Sequence, residues 1–353
     1  RAQVLRSRNV NQAMSLLEDA LSIAQQANYK EGMAAIIREK AACYLIQKNY
    51  KQSISSFNEA ILYFRDLEDL QSEMNCLTEI CSIYFTLGDW PSALDCILHS
   101  LKIYTELSDS EGIALCYNKL GKLYTYLQEY ENAVDHFKKA LKIFEGLKNK
   151  TQMVNSYFLL GNAYNWLDDY DKSLYYLLRA GNQIDQVPEI DVKVKTLASL
   201  AILYTKLKEY DKSLNYFNES LRIAQDGASP IVIAQVKKSL GNLYIELTQY
   251  DKAIEVLNKA LEIAESFPME AQLIKIHQFL SAAYEKIGNA EASLSHFKKY
   301  YDLDKKITSE EISLKTKALH IKYDLEELKK QKEIAELSDK LKEQFLANVS
   351  HEI

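Results

Sequence analysis

The stretch GNLYIELTQYDKAIEVLNKALEIA, residues 241–264, carries the pattern that decides the fold of this chain. Its small residue Gly241 precedes Tyr244 by three positions, and a second tyrosine, Tyr250, follows six positions later. A small residue lets a neighbouring helix approach closely, and the tyrosine ring fills the space beside it. The polar residues between the two tyrosines predict a turn, so the stretch predicts two helices packed as a hairpin.

The same pattern recurs along the chain every forty residues, which identifies an internal repeat. The first tyrosine of each copy is Tyr44, Tyr84, Tyr124, Tyr164, Tyr204, Tyr244 or Tyr284. The small residue before it is Ala41, Cys81, Gly121, Gly161, Ala201, Gly241 or Ser281. The second aromatic position holds Tyr50, Trp90, Tyr130, Tyr170, Tyr210 or Tyr250, with Ala290 as the one departure. A serine or alanine and then a large apolar residue, such as Phe137 or Leu257, follow in every copy.

Each copy is expected to form two helices, A and B, with the first tyrosine on helix A. Acidic residues directly follow the second aromatic position at Glu131, Asp171, Asp211 and Asp251. The exposed N–H groups of the first helical turn favour acids, so helix B is expected to begin there. The chain has only four prolines and ten glycines, which also favours an almost wholly helical protein.

These columns resemble the tetratricopeptide repeat, whose usual unit is 34 residues. The resemblance covers seven copies over residues 30–306, each about six residues longer, and the surplus is assigned to helix B and the following loop. Residues 1–29 resemble helix B of an earlier, partial repeat. The resemblance implies an all-α, right-handed superhelical solenoid in which helix A lines the concave side. It also implies binding of peptides or protein segments there, without catalytic machinery.

Polar residues of helix A outside the core columns are the candidate ligand-binding residues of this groove. They include Asn118, Lys122, Tyr126, Asn155, Asn162, Asn165, Trp166, Lys195, Lys206, Lys238 and Asn242. Asparagine can donate to and accept from a peptide backbone, and lysine can pair with a carboxylate. Lys238 and Asn242 resemble half of the carboxylate clamp seen in some members of the family. The alternative is that these residues are ordinary solvated side chains.

Composition argues against several other classes of protein. The net charge of −6 offers no electrostatic case for nucleic acid. No uncharged apolar run reaches the roughly 18 residues of a membrane span. Five cysteines without a metal-type pair favour reduced thiols in the cytoplasm. The histidines lack metal-ligand spacing, so no metal site is predicted. No phosphate-binding glycine loop is present, and no cofactor is predicted for this stretch of chain.

Residues 307–344 leave the forty-residue repeat and predict one long helix. Apolar residues at Leu314, Ala318, Ile321, Leu325 and Leu328 alternate in steps of four and three, which is typical of a coiled coil. The phase slips at Ile334, Leu337 and Leu341. A homodimeric coiled coil is favoured over a single charged helix that folds back on the last repeat.

Residues 345–353, FLANVSHEI, resemble the phospho-acceptor box of sensor histidine kinases. Phe345, Leu346, Ala347, Ser350, His351, Glu352 and Ile353 match it in order. The resemblance implies that His351 accepts phosphate and that Glu352 orients or deprotonates its imidazole. It also implies an ATP- and Mg²⁺-binding catalytic domain beyond Ile353, without which this stretch could not phosphorylate itself.

The leading hypothesis is the cytoplasmic input region of a two-component sensor histidine kinase. The repeats would bind a peptide or protein, the coiled coil would relay the signal to His351, and a response regulator or receiver domain would take the phosphate. The alternatives are a non-catalytic tetratricopeptide scaffold and a peptide-pheromone receptor with a different output.

Overall fold

The computed structural model describes residues 10–305 except residue 268. The described residues form two compact units, 10–106 and 107–305. All regular secondary structure in these two ranges is helical, which confirms the all-α prediction. The predicted coiled coil, the histidine box with His351 and Glu352, and the first nine residues lie outside the described residues.

The first unit contains five helices. They are α1 (Val10–Gln26), α2 (Lys30–Ile46), α3 (Tyr50–Asp66), α4 (Leu70–Leu87) and α5 (Trp90–Glu106). Helix α1 packs on α2, as a helix B preceding the first complete repeat would, and buries Ala13 and Leu17. The pairs α2/α3 and α4/α5 are two complete hairpins.

The second unit contains five hairpins. Its helices are α6 (Ser110–Tyr126), α7 (Tyr130–Gly146), α8 (Lys150–Trp166), α9 (Tyr170–Asn182), α10 (Ile190–Lys206), α11 (Tyr210–Ala224), α12 (Pro230–Glu246), α13 (Tyr250–Glu265), α14 (Glu270–Lys286) and α15 (residues 290–305). A short 3-10 helix, Ile184–Gln186, follows α9. Within this unit, the hairpins α6/α7, α8/α9, α10/α11 and α12/α13 each pack A on B, and every A helix from α8 to α14 also packs on the B helix that precedes it.

The forty-residue spacing sets the start of each helix. The A helices begin at Lys30, Leu70, Ser110, Lys150, Ile190, Pro230 and Glu270. Each helix B begins at the second aromatic position, including residue 290, where alanine replaces the aromatic residue. In the third repeat, two helices of 17 residues are each followed by a three-residue turn. The extra length of that repeat therefore lies in its helices, whereas part of it was predicted in a loop.

Each A–B turn places its middle residue in the left-handed region, with φ of 61° at Gln128 and 58° at Thr248. That conformation normally favours glycine, which occupies the same place at Gly88 and Gly288. In several repeats the side chain of the last turn residue then caps the N-terminus of helix B. The Asp169 carboxylate, for example, accepts from the Lys172 N–H at 3.1 Å.

Contact between the small column and the large apolar column holds helices A and B of one hairpin together. A Cβ built on Gly121 would lie 2.4 Å from the Phe137 ring, and one on Gly161 would lie 2.5 Å from Leu177. Ser173 adds a buried hydrogen bond, since its hydroxyl donates to the Gly161 carbonyl at 2.8 Å. The small residues are therefore required by close approach of the helices, as predicted.

Candidate functional site

The A helices of the second unit form the surface that carries all the predicted ligand-binding residues. Helix α8 contacts α10, α10 contacts α12, and α12 contacts α14, so four successive A helices lie side by side. Asn118, Lys122 and Tyr126 lie on α6, and four of the predicted residues lie on α8. Lys195 and Lys206 lie on α10, and Lys238 and Asn242 on α12.

A cavity of about 260 Å³ opens on this surface. Three of the predicted residues, Asn162, Lys195 and Lys238, line it together, each contributed by a different A helix. The remaining lining residues are Phe158, Ala198, Ser199, Ile202, Val232, Gln235, Val236, Ser239 and Gln272. Three of the eleven predicted groove residues therefore lie around one cavity.

The cavity has an apolar part and a polar part. Phe158 and Ile202 are half-buried and Val232 is buried, so they form an apolar wall. The amides of Asn162, Gln235 and Gln272 can each donate or accept hydrogen bonds. The described residues that line the cavity include two lysines and no aspartate or glutamate.

Lys195 and Lys238 are both half-buried, and Lys238 has a hydrogen-bond partner in the chain. Its Nζ donates to the side-chain oxygen of Gln272 at 2.7 Å. The pKa of Lys238 is lowered, first because burial removes water from the charged amine and then because Lys275 repels it. A neutral amide is thus its hydrogen-bond partner. For Lys195, no hydrogen bond or ion pair is found within the described part of the chain.

A second polar cluster lies beside the cavity on α6 and α8. Asn118 is only 4% exposed and donates to the Ser156 hydroxyl at 3.4 Å, while its side-chain oxygen has no partner among the described residues. The Lys122 side chain is exposed, yet its pKa is lowered by the protein packed around its amine and by repulsion from Lys195 and Lys119. Asn118, which was predicted to face the groove, is thus buried and bonded to Ser156 of the neighbouring A helix.

The predicted residues at the C-terminal ends of the A helices do not line the cavity. Tyr126 and Trp166 are 62% and 59% exposed, and Trp166 stacks on Tyr130 with ring centroids 5.8 Å apart. The Asn165 carbonyl accepts from Lys206 Nζ at 3.3 Å. Asn155 and Asn242 also lie outside the cavity lining. Asn242 donates to Glu246 at 3.2 Å, so both members of the predicted half-clamp have partners within the chain.

Several cavity residues were not predicted from the sequence, although the forty-residue spacing contains the signal. Gln235 stands forty residues after Lys195, and Phe158 and Ala198 precede Lys238 in the same register. Ser199 and Ser239 form a further pair, as do Val232 and Gln272. Shifting the predicted residues by forty positions would have found Phe158, Ala198, Ile202 and Gln235.

Two histidines that lie 19 residues apart in the sequence are in contact in the structure. His277 and His296, on α14 and α15, approach to 2.9 Å between their Nδ1 atoms, and burial lowers the pKa of both rings. No cluster of three or more potential metal-ligating residues occurs in the described ranges. Within those ranges, no helix has the length and apolar character needed to cross a membrane.

Stacked helical hairpins whose A helices carry a polar surface define a helical-repeat protein. A profile of the tetratricopeptide repeat matches residues 73–146, 152–226 and 232–306, more than half of the chain. The chain therefore belongs to the tetratricopeptide repeat family. No curated protein matches the sequence.

Solved structures with the same fold include three bacterial proteins. Aspartyl phosphate phosphatase F from Bacillus subtilis has a TM-score of 0.65 and 17% identity, covering 80% of this chain and 74% of that one. The quorum sensor NprR from B. thuringiensis, in its apo form, has a TM-score of 0.64 and 14% identity over 85% and 84%. The Rap conjugation gene regulator of plasmid pLS20, in complex with the Phr* peptide, has a TM-score of 0.62 and 15% identity over 81% and 77%. At these identities the similarity establishes the fold.

Proposed function

We propose that the second unit is a recognition module that binds a peptide or an extended protein segment across helices α8, α10, α12 and α14. The observation that carries the proposal is the cavity of about 260 Å³, which combines apolar walls with amide and amine groups. Binding sites of this kind orient a ligand through a few polar groups while apolar contacts supply affinity. The similarly folded pLS20 regulator was solved with a peptide bound, which supports the same use of the fold here.

Selection from a phage-displayed library of random dodecapeptides tests this function. Enriched peptides, once synthesised, should bind the protein and lose roughly tenfold or more in affinity when Ser199→Trp or Ser239→Trp fills the cavity. The matched control is Asn218→Trp, which adds the same side chain at an exposed position of helix α11. Failure to enrich any peptide, or equal weakening by the control, would remove the proposal.

A finer proposal couples this module to a histidine kinase. It rests on the order of Phe345, Leu346, Ala347, Ser350, His351, Glu352 and Ile353, which resembles the phospho-acceptor box. Its chemistry is phosphate transfer from ATP to the His351 ring, with Glu352 polarising the imidazole. Dimerisation through residues 307–344, transfer to a response regulator and a cytoplasmic location belong to the same proposal. The two alternatives, a scaffold and a peptide receptor with another output, would use the same recognition module but would not transfer phosphate to His351.

The kinase coupling is tested in the full-length gene product. With ATP and Mg²⁺ it should acquire phosphate that is labile in acid and stable in base, as expected for phosphohistidine. His351→Gln should abolish that signal and leave peptide binding unchanged. Phosphate incorporation that survives His351→Gln would exclude His351 as acceptor, whereas no incorporation by the unaltered protein would favour the scaffold or receptor alternative.

A further inference from the structure

We infer that the cavity on helices α8, α10, α12 and α14 recognises an acidic side chain of the bound peptide, with Lys195 and Lys238 as the residues that select it. This inference rests on the proposed function and specifies the chemistry of the ligand. It assigns the site to an aspartate or glutamate within the peptide, next to an apolar residue that contacts the cavity wall.

The first argument is uncompensated positive charge. Lys195 and Lys238 line the cavity without an acid among the described lining residues, and Lys275 and Lys122 lie near enough to repel them. Like charges gathered in a concave surface destabilise one another, and a bound anion relieves that repulsion. The cavity is therefore electrostatically complementary to a carboxylate.

The adjacent residue Lys237 shows the contrast on the same helix. Lys237 does not line the cavity, and the negative charge of Glu255 on α13 opposes the repulsion that it receives from Lys259. By comparison, the charges that act on Lys238 and Lys122 within the described residues are those of Lys275, Lys195 and Lys119. Glu255 thus lies near the lysine outside the cavity, whereas no aspartate or glutamate is found with Lys195 and Lys238 in the described cavity lining, as expected if the ligand supplies the acid.

The second argument is the arrangement of polar and apolar groups. Lys238 is held by the Gln272 amide oxygen at 2.7 Å, an interaction that orients the amine without neutralising it. Asn162 and Gln235 provide amide donors nearby, and Phe158, Ile202 and Val232 provide the apolar wall. A carboxylate bonded to lysine and amide donors gains charge-assisted hydrogen bonds, while a neighbouring apolar side chain buries its surface.

The position of the cavity favours a side chain over a peptide C-terminus. The polar surface continues past the cavity onto α6, where Lys122 is exposed. A peptide backbone can therefore continue in that direction, so the acid that enters the cavity can be an internal residue.

The test uses peptides enriched from the random library, synthesised with acetylated and amidated ends. Enriched sequences should contain more aspartate and glutamate than the starting library. Replacing the key glutamate by glutamine should weaken binding roughly tenfold or more. The double variant Lys195→Gln/Lys238→Gln should weaken the parent peptide similarly and bind the glutamate and glutamine peptides equally well.

The matched control is Lys193→Gln/Lys237→Gln, which removes two charges from the same helices outside the cavity and should leave affinity unchanged. Charge reversal gives an independent check: Lys238→Glu should bind the parent peptide weakly and regain affinity for a peptide with lysine in place of the glutamate. Circular dichroism confirms that each variant is folded.

Three outcomes would overturn the inference while leaving the proposed function intact. The first is that cavity filling abolishes binding but the enriched peptides contain no excess of acidic residues. The second is that the glutamate and glutamine peptides bind equally well to the unaltered protein. The third is that binding requires a free C-terminal carboxylate, which the amidated peptides lack. If no peptide is enriched, or if cavity filling has no effect, the proposed function itself fails.

Discussion

Glycine in the small column is the residue on which the hairpin contact depends most directly. Gly161→Ala would place a Cβ 2.5 Å from Leu177, and the cost of overpacking should lower the free energy of unfolding by about 1–3 kcal/mol. Urea unfolding followed by circular dichroism measures the change. Gly146→Ala is the control, because nothing lies within 4 Å of its Cβ at the end of α7, and it should be neutral or stabilising. Equal stability of Gly161→Ala and the wild type would refute the close contact.

His136 makes stability depend on pH. Its ring stacks on Tyr124 with centroids 5.2 Å apart, and its pKa is lowered from 6.5 to about 4 by burial and then by Lys139, against the opposing effect of Asp135. The unfolded chain therefore binds the proton more readily, so stability is highest above the unfolded pKa and falls as pH drops from 6.5 towards 4.

His136→Tyr should reduce this acid sensitivity and keep the stacking. The next two repeats already place tyrosine at the equivalent position, where Tyr176 and Tyr216 stack on Tyr164 and Tyr204. Urea midpoints at about pH 7 and about pH 5 should differ less in the variant than in the wild type. Some dependence should persist, because the pKa of His277 is also lowered to about 4. An unchanged difference would show that His136 titrates normally in the folded protein.

The A–B turn is the element whose sequence departs furthest from the preference of its backbone. Thr248 adopts a φ of 58°, and a β-branched residue in the left-handed region is strained. Thr248→Gly should therefore stabilise the protein by about 1 kcal/mol, measured as a higher urea midpoint. The same substitution in the middle of α4, Thr78→Gly, should be destabilising because glycine weakens a helix interior. Loss of stability in Thr248→Gly would contradict the assigned turn geometry.

The helices were predictable because every hairpin uses the same pattern of small and large residues to pack helix A on helix B. A small residue faces a large apolar residue at the same position of each repeat. Gly121 against Phe137 and Gly161 against Leu177 are therefore the same close contact in two repeats. The left-handed turn residues were not predictable from composition, since lysine, glutamine, aspartate and threonine occupy a position that usually favours glycine. Capping and packing of the flanking helices evidently outweigh the local strain.

At the scale of the whole molecule, the binding surface was only partly predictable. The repeat register placed Asn162, Lys195 and Lys238 on helix A, and the structure shows that they share one cavity. The register could not show that Asn118 donates to Ser156 of the next repeat, or that Trp166 stacks on Tyr130, because both contacts join neighbouring repeats. The contact of His277 with His296 lies within one hairpin and depends on how α14 packs against α15.

Photo-crosslinking of a selected peptide tests the central claim most directly. A peptide from the random library, carrying a photoreactive residue beside its acidic one, is irradiated with the protein, and the modified residues are identified by mass spectrometry. We predict that the crosslinks fall on α8, α10, α12 and α14 and disappear in Ser199→Trp, while Asn218→Trp retains them. Crosslinks confined to the B helices, or unaffected by filling the cavity, would contradict the assignment of the A-helix surface as the binding site.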